Sequence, residues 1–166
     1  MADVVLSLGT NLGDRASNMR RMEQALAQVL EAPLVVSSLM ETEPVGVSEE
    51  QPWYYNRLIK GGYRETARKL LLQCQAIEQS LGRTRERNYA SRTADIDIIL
   101  FGAAVVETKD LTIPHRHIRD RRFLIEGLRE IAGERILPGE SRSIAELAEE
   151  MEPEIRGQRI CYIESV

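Results

Sequence analysis

The chain has 166 residues, enough for one domain with a proper core. Hydrophobic residues make up 43% and charged residues 29%, the balance of an ordinary soluble globular protein, and a formal charge of −4 argues against broad salt-driven nucleic-acid binding. Cys74 and Cys161 form neither a disulfide scaffold nor a zinc pattern and read as free thiols in a reducing compartment, and no basic leader or apolar run of membrane-spanning length is evident, so a cytoplasmic protein is expected.

Val4 to Leu8 is a compact apolar run ending at Gly9 and reads as a buried strand. Gly9-Thr10-Asn11-Leu12-Gly13 punctuates it, and Asp14 or Ser17 then caps a helix whose apolar positions are Met19, Met22, Leu26, Val29 and Leu30. Pro33 bars its continuation, and Leu34 to Leu39 reads as a second strand. Glu41 to Pro52, with Pro44, Gly46 and Pro52, reads as a long loop. Trp53 to Tyr63 is aromatic and β-rich, the third strand. A helix over roughly Arg64 to Leu81 carries Ala67, Leu70, Leu71, Cys74, Ile77 and Leu81 on one stripe, and Gly82 stops it.

An arginine loop follows, then a strand from Asp95 to Phe101 and a hairpin through Gly102 to Val105 and Val106. Leu111 to Arg122 is irregular and basic. Phe123 to Ile131 and Ser143 to Met151 read as helices of length similar to the others, and Ile160 to Ile163 as a final edge strand. Two β-α-β units packed on one antiparallel sheet imply an α+β fold, a ferredoxin-like three-layer α/β/α sandwich with a mainly antiparallel sheet. The whole of 1–166 is expected to be one domain.

The stretch Gly82 to Gly102 carries the chemistry. Arg83, Arg85, Arg87 and Arg92 can hold phosphate oxygens, and Asp95 and Asp97 follow on one face of a strand, with Ile96 and Ile98 on the other. Two carboxylates among isoleucines are expensive unless a cation compensates them, and hard oxygen ligands suit Mg²⁺. The blander alternatives are a solvated arginine face and aspartates turned to water. His115 and His117 lack the partners of a zinc site, and a hydrogen bond from His115 to a phosphate is the better reading. Trp53, Tyr54 and Tyr55 are consecutive in a chain with 5% aromatics, so at least one is expected outside the core, where it can stack on a planar heterocycle.

With these residues in view, the chain resembles the 6-hydroxymethyl-7,8-dihydropterin pyrophosphokinase family. The resemblance rests on Gly82-Arg83-Thr84-Arg85, on Arg92 through Gly102, and on Gly9-Thr10-Asn11-Leu12-Gly13. It also rests on Thr42 to Gly46, Gln51-Pro52 with Tyr54 and Asn56, Ile77-Glu78, Leu111 through His115, and Arg121 with Phe123-Leu124. These blocks run in the family's order over nearly the whole chain. The resemblance implies transfer of pyrophosphate from ATP to the pterin's hydroxymethyl group, giving the pterin diphosphate and AMP in folate biosynthesis.

The same resemblance implies two Mg²⁺ ions on Asp95 and Asp97 and catalytic roles for Arg83 and Arg92. It assigns Glu78, Arg85, Tyr89, Ile98, Thr112, His115 and Arg121 to the nucleotide. Thr42, Pro44, Val45 and Asn56 would line the pterin pocket, with Tyr54 and Phe123 stacking on the ring. A monomer acting on small molecules, without nucleic acid or membrane, is expected. Tyr89-Ala90-Ser91 replaces a frequent Trp-Gly-Pro, Ala94 is smaller than usual, Asp110 stands where some members are basic, and Arg116 could restore that charge. The alternatives are a nucleotidyltransferase attacking the α-phosphorus and an RNA-binding module on a ferredoxin-like sheet, against which the net acidity counts.

Overall fold

In the computed structural model the described residues are 1–46, 50–82 and 93–164. The N-terminal apolar run is the middle of the sheet because it is paired on both edges. β1 (Ala2–Thr10) lies antiparallel to β4 (Tyr54–Tyr63) on one side and β5 (Asp95–Phe101) on the other. The C-terminal half of β4 pairs with β2 (Glu31–Val36) and its N-terminal half with β3 (Leu39–Thr42). β8 (Ile160–Ile163) extends the sheet along β3. Among the described residues this gives six strands in the order β5-β1-β4-β3-β8, with β2 beside β4 and every pairing antiparallel.

The first unit, β1 to β2 through α1 (Arg15–Ala27), interleaves with the second, β4 to β5 through α2 (Ala67–Ser80). That is the ferredoxin-like order. Both helices cover one face over Val4, Leu6, Leu8, Met22, Leu26, Leu70, Cys74, Ile96 and Ile98. α3 (Arg122–Ala132) and α4 (Ile144–Glu149) cover the other, over Val5, Leu58, Ile99, Leu100, Leu124 and Leu128, completing three layers. α5 (Pro153–Arg156) is a single turn leading to β8.

Local signals set several boundaries. Asp14 caps α1 by accepting from the Ser17 N–H at 3.0 Å, Thr66 caps α2, and Ser143 with Glu146 forms a capping box on α4. The structure corrects four expectations. The strand expected over 34–39 is two strands, and Pro33 sits inside β2 at a register irregularity, where its missing N–H leaves no ladder bond broken. The α2 helix starts at Ala67 rather than Arg64. The segment after Gly102 does not return along β5; β6 (Val106–Glu107) pairs with β7 (Thr112–Ile113) in a separate ribbon. The helices are not of similar length, running from 14 residues in α2 to 4 in α5.

Candidate active site

The two aspartates stand on β5 opposite small partners, Asp95 across from Gly9 and Asp97 across from Ser7. The β1–β5 register shifts after Val5, which leaves Ile99 as an extra residue and turns both Ile99 and Leu100 into the α3/α4 core. Upstream of that bulge the alternation is regular: Ile96 and Ile98 point into the α1/α2 core, and Asp95 and Asp97 half-emerge on the opposite face. Glu78, 3% exposed on α2, accepts the Ile96 N–H at 2.8 Å. A buried carboxylate therefore satisfies the open edge of β5 at the residue between the two aspartates.

His115 completes this corner. Its main-chain N–H donates to the Ile99 carbonyl at 3.0 Å, and its Nε2 lies 4.0 Å from Asp97 Oδ2. The His117 N–H donates to His115 Nδ1 at 3.2 Å, so the neutral ring carries its proton on Nε2, directed to the aspartate corner. Burial pushes the imidazole down to about 4, and the charges of His117, Arg121 and Arg116 act the same way against Asp95. His115 is thus a neutral N–H donor at physiological pH. Arg121 is half-buried at the N-cap of α3. Thr112, on β7, accepts from Arg116 Nη2 at 3.5 Å. Asp110 is bound 2.5 Å from Arg68 of α2, and that hydrogen bond lowers its carboxyl below the usual range.

Across β1 the same face turns neutral and polar. Gly9 pairs with Asp95 on one side and Asn56 on the other. A Cβ at Gly9 would lie 2.8 Å from Asn56 Oδ1 and 3.6 Å from Tyr54 Cδ1, so the bare backbone is what lets both side chains lie over β1. Asn56 donates to Thr42 Oγ1 at 2.6 Å, and each is 5% exposed. Two strand spacings, about 10 Å, separate the Asp95 position from the Asn56 position. Pro44 is half-buried just beyond β3, and Val45 is exposed.

The turn after β1 anchors this side. Asn11 Nδ2 donates to the Pro52 carbonyl at 3.0 Å and Arg15 Nη1 to the Trp53 carbonyl at 2.9 Å. Arg15 also pairs with Glu41 and lies over the Tyr55 ring, 4.0 Å from its centroid. On the facing helix, Gly127 packs on Leu58, and the Ile131 carbonyl accepts from Lys60 Nζ at 2.8 Å. One turn of α3 rises about 6 Å and two residues of β4 about 7 Å, so the same register brings Phe123 level with Asn56. Phe123 is half-buried and packs against the α3/α4 core.

The structure therefore brings Asp95, Asp97, His115 and the small residues Ser7 and Gly9 to one corner, with Asn56 and Tyr54 two strands away on β4 and Thr42 one strand further on β3. The side chain of Ile98 lies in the opposite core, so only its main chain can meet a ligand. Glu78 is occupied with Ile96. Arg83, Arg85, Tyr89 and Arg92 lie outside the described residues. Ser7, Asn11 and Arg15 had no assigned role at the sequence level; the Gly9–Gly13 motif marked the turn, but the partners of Asn11 and Arg15 lie about forty positions away. Among the described residues no group of three or more His, Cys, Asp and Glu forms a closed metal cage. Two carboxylates on an open face instead fit Mg²⁺, which keeps waters and takes its remaining ligands from phosphates.

The family model of 7,8-dihydro-6-hydroxymethylpterin-pyrophosphokinase matches residues 5–133. A 2-amino-4-hydroxy-6-hydroxymethyldihydropteridine pyrophosphokinase of Haemophilus influenzae is 35% identical over 90% of this chain and 93% of its own. The Bacillus subtilis protein of the same description is 39% identical over 76% of this chain and 75% of its own. In fold, the chain is similar to a solved Plasmodium falciparum HPPK-DHPS structure with pteroate, with a TM-score of 0.70 at 15% identity. That match covers 98% of this chain and 47% of the other, so the chain spans about half of the two-part protein. The chain belongs to the 7,8-dihydro-6-hydroxymethylpterin-pyrophosphokinase family, and its activity is the ATP- and Mg²⁺-dependent transfer of pyrophosphate to hydroxymethyl-dihydropterin.

Proposed function

We propose that the β5 corner holds the triphosphate of ATP and the Asn56–Thr42 side holds the pterin, with the reacting atoms meeting over Gly9. The observation that carries this reading is the placement of Asp95 and Asp97 on one sheet face, two strands from the buried amide of Asn56 and three from the Thr42 hydroxyl it bonds. Asp95 and Asp97 hold two Mg²⁺ ions, which when bound offset the charge of the phosphate oxygens. Arg83 and Arg92 neutralise charge that develops on the bridging oxygen and on AMP, and Arg85, Tyr89, Arg121 and Thr112 hold the nucleotide. Ile98 contributes its edge-facing main chain, and Glu78 keeps that edge in place.

On the other side, Asn56 and Thr42 read the polar edge of the pterin, Pro44 and Val45 line the pocket, and Tyr54 and Phe123 stack on its ring. The hydroxymethyl oxygen attacks the β-phosphorus, the bond from that phosphorus to the α–β bridging oxygen breaks, AMP departs with that oxygen, and the hydroxyl proton passes to solvent. His115 acts as a donor to phosphate and not as a base, since Nδ1 is occupied by the His117 N–H and Nε2 carries the proton. Positioning and charge compensation carry the catalysis. Residues 1–166 act as one monomeric domain in the cytoplasm, without nucleic acid or membrane.

Paramagnetic Mn²⁺ tests the arrangement. With Mn²⁺ and an ATP analogue that cannot be cleaved, amide resonances of Ser7, Gly9, Asp95 and Asp97 should broaden first, and those of α4 last. Broadening centred elsewhere would overturn the assignment.

A further inference from the structure

Two adjacent residues immediately before β8 tie together segments that flank the pterin side of the site. Gln158 Oε1 accepts the Arg122 main-chain N–H at 2.9 Å, the Gln158 carbonyl accepts from Arg122 Nη1 at 2.9 Å, and Gln158 Nε2 donates to the Asp120 carbonyl at 2.8 Å. Arg159 turns the other way. Its main-chain N–H donates to Glu43 Oε1 and its Nε to Glu43 Oε2, both at 3.0 Å, while its carbonyl accepts the Glu43 N–H at 3.3 Å. Its guanidinium also lies 4.9 Å from the centroid of the Trp53 ring.

The residues so held are immediate neighbours of the cleft. Glu43 lies between Thr42 and Pro44, Trp53 precedes Tyr54, and Arg122 lies between Arg121 and Phe123. The Arg159 main-chain hydrogen bond, followed by its side chain, lowers the Glu43 carboxyl below its ordinary range, so the link is ionic through the neutral range. Exposed ion pairs of this kind contribute little to global stability. Fixing two cleft-wall segments before a ligand arrives lowers the ordering cost of binding.

We propose that Gln158 and Arg159 are positioning residues, a clip that holds the 42–44 wall and the 120–123 wall of the pterin cleft in register with each other. This rests on the assignment of Thr42, Pro44 and Phe123 to that cleft. If β8 merely closes the sheet edge, breaking the clip lowers the melting temperature and leaves ligand affinity alone.

The test is titration of 6-hydroxymethyl-7,8-dihydropterin into the protein with Mg²⁺ and a non-cleavable ATP analogue, alongside melting and steady-state kinetics. Arg159→Ala, Glu43→Ala and Gln158→Ala should each raise the pterin Kd about three- to tenfold with kcat at saturation held within about twofold, and nucleotide Kd should hold within about twofold in Arg159→Ala and Glu43→Ala, whose contacts do not flank Arg121. Glu43→Gln keeps one of the two acceptor oxygens and loses the charge, so it should raise the pterin Kd by less than Glu43→Ala does without restoring the wild-type value. Should an alanine variant fail to fold, Arg159→Lys, which loses the Nε donor but keeps the charge and the main-chain N–H, should give a smaller rise of the same sign. Phe123→Ala separates the two claims. Weakened pterin binding there, with unchanged binding in all the clip variants, overturns the clip alone. Unchanged binding in Phe123→Ala overturns the cleft assignment and the clip with it.

Discussion

At the scale of single residues, the site depends on what is missing as much as on what is present. Gly9 has no side chain, and a methyl there would meet the Asn56 amide oxygen at 2.8 Å, displacing the group that bonds Thr42. His115 is decided by its neighbours: a main-chain donor on Nδ1 fixes the tautomer, and burial removes the charge. In metal-free protein its Cε1 proton should show no titration step between pH 8 and pH 5, because the folded value is about 4 against an ordinary 6.5. A midpoint near 6.5 by NMR would contradict the buried, neutral ring. The sign for stability follows. Below pH 6.5 the unfolded chain takes up a proton that the folded one refuses, so this group costs stability increasingly as pH falls towards 4 and nothing above 7.

At the scale of elements, legibility followed the range of the cause. The bounds of β5 and β8 are legible because apolar runs and turn residues define them locally, and the Asp14 cap follows from the same short-range chemistry, whereas Thr66 as the cap of α2 does not stand out from the sequence. Pro33 misled, since a proline is compatible with a strand where the ladder is already irregular, and only the pairing with β4 reveals that irregularity. The bulge at Ile99 was equally invisible, because it exists only between two strands distant in sequence. α3 carries the prediction that belongs to this scale. Phe123 sits in its first turn, level with Asn56, and also touches the second core. Phe123→Ala should cost about 1 to 3 kcal/mol of pterin binding and leave nucleotide binding nearly unchanged. A large drop in melting temperature with unchanged pterin affinity would make Phe123 a core residue only.

At the scale of the whole molecule, the sheet separates two chemistries. β5, an edge strand on the open side of β1, carries the carboxylates, and β4 and β3 beyond β1 carry the amide and hydroxyl. The placement of Asp95 and Asp97 on one strand face could be read in the sequence because residue type and period-two alternation state it locally, while the arginines of the preceding loop lie outside the described residues. What the sequence withheld was assembly: Ser7 beneath Asp97, Glu78 on the Ile96 N–H, and Arg159 on Glu43 each join positions that only the ferredoxin-like order brings together. The central claim is that Asp95 and Asp97 hold the Mg²⁺ on which transfer depends. The most direct test is turnover of Asp95→Ala and Asp97→Ala at saturating Mg²⁺ and ATP, with folding checked by the far-UV spectrum. Each should lose at least about 10²-fold in kcat, whereas near wild-type turnover in either folded variant would contradict the account.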